Sequence, residues 1–152
     1  MIRWRRLVAA TLLLLSGMGC KPIDPTLLPD AQLISELGLT ERDRVHTVSL
    51  TTEADERADP DSIIVQIGDY LQFVSSDWLI HEVRFDSAEM SDRTRSFMIV
   101  TDQMRSPPLL QRGARYVLSF ADAPQGAYPF WLEGNRGIGG GVIVVAPPSG
   151  MP

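Results

Sequence analysis

Cysteine is almost absent from this chain of 152 residues: Cys20 is the only one, so no internal disulfide can staple the fold and stability must come from a packed core. Histidine is nearly as scarce, with His46 and His81 alone, which leaves few imidazoles for a metal centre or a general base. A membrane-spanning run is missing at the N-terminus. The apolar stretch Leu7 to Ser16 is about half the roughly 20 residues that a bilayer crossing needs. Positive charge is short as well. Loss of Arg3, Arg5 and Arg6 with a cleaved leader takes the basic residues from 14 to about 11 against 19 acidic ones, a net charge of about −8. That balance leaves no basic face for phosphate neutralisation, so nucleic acid is not an expected partner. Apolar content of 44% with 22% charge is ordinary for a folded chain and excludes disorder through its body. One domain is the expectation at this length.

What is present begins with a leader. Met1-Ile-Arg-Trp-Arg-Arg6 is a basic stretch ahead of the apolar run, and Gly17-Met18-Gly19-Cys20 follows it, the layout of an export signal over residues 1–19. A cysteine at the cut resembles a bacterial lipoprotein signal, which implies that Cys20 is acylated and becomes the mature N-terminus. Gly19 fits that pattern, whereas Gly17 and Met18 depart from it, and Gly-x-Gly also suits an ordinary signal peptidase. The resemblance implies an exported protein held by lipid in the bacterial cell envelope and facing the periplasm. Lys21 after the cysteine points to the outer membrane under the usual lipoprotein rule.

Residues 20–40 follow as lipidated cysteine, tether and short helix. The proline-rich KPIDPTLLP is the tether, and Asp30 caps a helix with Leu33, Ile34 and Leu37 on one face and Gly38 as its stop. From there the period becomes alternating, with strands expected at 45–50, 63–67, 70–74, 80–85, 115–120, 127–132 and 142–145. The acidic connector from Thr51 to Asp61 reads as a solvated loop. Ser91 caps a helical excursion carrying Phe97, Val100 and Met104 and ending before Pro107-Pro108. Met90, Met98 and Met104 read as packing side chains, with a copper relay as the sharper alternative. Residues 147–152 are a tail.

Short strands with a long crossover predict an all-β Greek-key sandwich with a short N-terminal helix and a helical insertion. Two stretches narrow this. Ile63 to Phe85 and Ala123 to Val145, with the Gly68-Asp69 hairpin and an Ala-Pro-x-Gly-x-Tyr corner at Tyr128, resemble a cupredoxin of the plastocyanin and azurin type, so that residues 41–146 are identified as a cupredoxin-like domain. His81, Val83 and Phe85 share one face by alternation, as do Tyr128, Phe130 and Leu132.

The resemblance implies four copper positions, and only His81 matches. Leu132 stands for the cysteine, Asn135 for the second histidine and Gly140 for the methionine. A type 1 centre needs a thiolate and two imidazoles, so none is expected. The run Gly137-Ile-Gly-Gly-Gly141 precedes a strand and not a helix, which removes a phosphate-cradle reading, and a loop of unusual backbone angles is the expectation. His81 reads either as a hydrogen-bonded residue closing the sandwich or as part of a recognition rim with Trp78, Glu82, Trp131, Glu133, Asn135 and Arg136. Trp131 fits core or sheet-face packing equally well. Glu82 and Glu133 form a carboxylate pair only if they face each other, and no nucleophile–histidine–acid spacing stands out, so catalysis is not expected. The expected function is a membrane-anchored binding or assembly module without a type 1 copper centre or any other cofactor, whose partner is an envelope protein or a small ligand. The alternative is a copper protein with a residual, non-blue site at His81.

Overall fold

The computed structural model describes residues 24–148; the leader, Cys20 and the last residues of the tail lie outside them. Two four-stranded sheets face each other. The first runs β2-β1-β4-β6, from β1 (Val45–Thr52), β2 (Glu56–Asp59), β4 (Tyr70–Ser75) and β6 (Arg115–Ser119). The second runs β3-β8-β7-β5, from β3 (Ser62–Gln66), β5 (His81–Phe85), β7 (Gly126–Gly134) and β8 (Ile138–Ala146). The pairs β1/β4 and β3/β8 are parallel and the rest antiparallel; apart from the β1/β2 and β7/β8 neighbours, paired strands are not consecutive in sequence, as a Greek key requires.

Alternation builds the core. Val48, Leu50, Leu71, Phe73 and Leu118 point inward from one sheet to meet Val83, Phe85, Tyr128, Phe130, Leu132, Ile143 and Val145 of the other, all buried. His81 takes the inward position at the start of β5 and is itself fully buried. The corner expected at Tyr128 forms: its hydroxyl donates to the Pro124 carbonyl at 2.6 Å, and burial pushes its pKa up to about 12. This ties the turn to the strand that follows it.

The two helices attach at the periphery. In α1 (Ala31–Leu37), Asp30 accepts from the amides of Gln32 and Leu33, and Gly38 closes the helix at φ 68°, where a side chain would be strained. Only Leu33 of the three expected apolar residues is buried, packing with Leu39 and Val45; Ile34 and Leu37 are exposed, because so short a helix touches the sheet with one residue. Helix α2 (Asp92–Val100) starts at Ser91 as expected. Its buried residues are Thr94 and Met98; Phe97 packs against the core as expected and meets Tyr128 edge-on, whereas Val100 does not. Val100 is 84% exposed, and Met104 packs against the core from beyond the end of the helix. The chain beyond α2 runs antiparallel along β5, with hydrogen bonds between Leu109 and His81 and from Phe85 and Ser106 to Met104 and Val83, and so covers that edge.

Two sequence expectations are corrected. The acidic connector is not a loop throughout: Glu56–Asp59 forms β2 and pairs with β1, Thr52 opposite Glu56. Glycines 139 to 141 lie in β8 and not in a loop. A Cβ on Gly139 would run into the Glu56 carbonyl, and one on Gly141 into the Asp61 carbonyl and the Phe130 ring. The glycines admit another backbone at close range, and Gly137 alone of this run takes a positive φ, 90°.

Candidate functional site

At the end of the sandwich, His81 sits between two carboxylates. Its Nδ1 is 2.7 Å from Oε2 of Glu56 and its Nε2 is 2.8 Å from Oδ1 of Asp77. Side chains of His81 and Glu56 are wholly buried, while that of Asp77 is 26% exposed. Each ring nitrogen therefore meets a carboxyl oxygen, and neither is left bare. The remaining acceptor capacity is used as well: Thr52 Oγ1 donates to Glu56 Oε1 at 2.9 Å, and the amides of Thr52 and Leu79 each donate to Asp77 at 2.8 Å. Burial works against the Asp77 carboxylate, yet the donors from Leu79, Thr52 and His81 together hold its pKa below the usual value. The result is a buried hydrogen-bonded triad whose three members come from β2, the β4–β5 turn and β5.

Backbone geometry delivers those residues. Glu56 reaches His81 because β2 lies across the β7–β8 hairpin, where Gly134 and Gly139 present no side chain: a Cβ on Gly134 would enter the Glu56 carboxylate and stand 2.6 Å from the Ile80 carbonyl oxygen. Asp77 folds back on its own turn through the Leu79 amide.

Of the three other inferred copper positions, only Leu132 shares a face with His81. Leu132 is buried on the inward face of β7, paired with Val83 and Gly139, and so shares the face of His81. Asn135 is exposed at the hairpin tip. Gly140 pairs with Trp131, and a Cβ there would stand 3.6 Å from Trp131 Cε3 on the outer face, so a methionine at that position points away from His81. Copper in the trigonal arrangement of a type 1 centre does not fit these residues: both imidazole nitrogens are committed to carboxylates, and an aliphatic side chain replaces the thiolate. Among the described residues no group of three or more His, Cys, Asp or Glu is arranged to hold a metal.

The expected rim divides into two places, and His81 lies beneath the surface of the first. At the pole, Trp78 is 75% exposed and Asn135 and Arg136 occupy the hairpin tip. Ile80 and Leu110 are also exposed there, adjacent because His81 bridges Leu109 antiparallel. Trp131, Glu82 and Glu133 are instead on the outer face of the β5–β7 pair. Glu82 and Glu133 do face each other in register, each held by an arginine, Arg105 and Arg84 respectively. Trp131 is half exposed and not in the core.

Sequence reasoning missed Glu56, Asp77, Ile80 and Leu110. Asp77 carried a local signal, four residues before His81 beside a turn. Glu56 carried none except the glycines opposite it.

No family model matches the chain, and neither does any curated protein. Solved structures do. A mutant plastocyanin of fern is similar at 18% identity and TM-score 0.50, over 66% of this chain and 99% of that one. A Cu-containing nitrite reductase from Thermus scotoductus SA-01 is similar at 19% identity and TM-score 0.51, over 84% of this chain and 28% of that one. Over its described residues this chain thus has the fold of the cupredoxins, an all-β sandwich with two α-helices. At these identities the likeness is one of fold alone.

Proposed function

We propose that this protein is an exported, lipid-anchored cupredoxin-fold module that lacks a type 1 copper centre and catalytic activity, and serves to bind or assemble with an envelope partner at the pole above His81. The observation that carries this reading is the capture of both His81 nitrogens by Glu56 and Asp77, which makes the pole rigid instead of reactive. Rigid support beneath Trp78, Ile80 and Leu110 suits a contact surface, since exposed aromatic and aliphatic side chains on an ordered base lose little freedom on binding. Anchoring rests on the leader and Cys20.

Two experiments test it. Full-length protein incubated with Cu(II) is expected to stay colourless, without thiolate charge transfer, and to retain no stoichiometric copper after desalting. Stoichiometric copper that disappears in His81→Ala would establish the residual-site alternative. For the anchor, wild-type protein is expected in the membrane fraction and Cys20→Ser in the soluble exported fraction; fully soluble wild type with an unmodified Cys20 by mass would remove the lipid from the account.

A further inference from the structure

On the outer face of the β3-β8-β7-β5 sheet, apart from the His81 pole, an open cavity of about 390 Å³ is lined by Arg84, Asp86, Ser87, Trp131, Glu133 and Ile138. We infer that this cavity binds a neutral sugar ring, a pyranose unit of an oligosaccharide, with Trp131 as its floor.

The indole is fixed before any ligand arrives. Trp131 Nε1 donates to Asp86 Oδ2 at 3.0 Å, and the ring lies over Gly140, where β8 has no side chain to lift it. With the ring's N–H engaged, what remains open is its apolar face, next to Ile138, which is 65% exposed. Beside that face stand groups that complement hydroxyls. Arg84 donates one N–H to Glu133 at 2.7 Å, both side chains being nearly half exposed, and Ser87 adds a hydroxyl.

Charge selects among ligand classes. Glu133 is already matched by Arg84, and both Asp86 oxygens are occupied, one by the Trp131 indole and one by the Ala88 amide. A cation would find Glu133 already paired and only Asp86, whose oxygens already accept from the indole and an amide, at the edge of the ring; an anion would have to displace Glu133 from Arg84. A pyranose needs neither: its C–H face covers the indole, and its hydroxyls add to the ion pair as charge-assisted hydrogen bonds. The volume suits a ligand of that size, near the lower end for small-molecule pockets.

The test uses full-length ¹⁵N-labelled protein in a detergent without a sugar headgroup. Cellobiose and diacetylchitobiose are titrated in, with choline and inorganic phosphate as charged comparators. At least one sugar is expected to move the Trp131 indole N–H signal saturably while that of Trp78 stays, and saturation transfer should mark the sugar's ring protons. Trp131→Ala should abolish that transfer, and Glu133→Gln should weaken binding about tenfold. If Trp131→Ala does not fold, Trp131→Phe keeps an apolar floor and should keep the transfer. A Trp131 signal unmoved by both sugars, moved only by choline or phosphate, or a sugar response that survives folded Trp131→Ala overturns the inference. None of these outcomes bears on copper or on the pole.

Discussion

Glu56→Ala is expected to destabilise the protein by about 3–5 kcal/mol, the cost of breaking a buried ion pair by removing one partner. The loss is large because His81 stays behind, fully buried, with one N–H facing a void and Thr52 without its acceptor. Glu56→Gln keeps the volume and an acceptor oxygen, so it should cost less. Urea unfolding of the three proteins measures both, and equal stability of wild type and Glu56→Ala would show that the carboxylate does not hold His81. The triad also predicts an acid limb. Asp77 is depressed in the folded state, so its contribution is complete above the unfolded carboxyl value near 3.9 and is lost as pH falls through the lower folded value. In Asp77→Asn the midpoint should therefore fall less steeply with acid than in wild type.

The glycines opposite Glu56 carry the second large effect. Gly139→Ala places a methyl group in the Glu56 carbonyl, a backbone atom that cannot swing aside. Overpacking of this kind costs about 1–3 kcal/mol, and here it also pushes β2 away from His81. Gly134→Ala meets the Glu56 side chain as well as the Ile80 carbonyl. Its penalty should therefore shrink in a Glu56→Ala background, where the carboxylate is gone. A double-mutant cycle reads that coupling, and strict additivity would mean that Gly134 does not make room for Glu56.

Much of this fold was legible because the signals were local or periodic. Asp30 and Gly38 bound α1, Ser91 starts α2, Tyr128 closes its corner, and alternation placed His81, Val83 and Phe85 on the inner face beside Tyr128, Phe130 and Leu132. The triad was not legible, since Glu56 is 25 residues from its partner and an acid between acids reads as solvent-facing. Its inward turn depends on an imidazole and two bare glycines brought close only by the Greek key. The loop spacing that placed a methionine position at Gly140 failed for a related reason. The hairpin is short, with Glu133 already opposite Ile138, so residues counted as loop belong to a strand and alternate faces.

His81 is a structural residue held at both ring nitrogens by Glu56 and Asp77 and not a vacant metal ligand. Nitrogen-15 NMR of the histidine ring, with and without one equivalent of Cu(I), tests this most directly. Both His81 ring nitrogens are expected to give hydrogen-bonded signals that stay in place when copper is added. A His81 ring with one bare nitrogen, whose signal shifts stoichiometrically with copper, would contradict this.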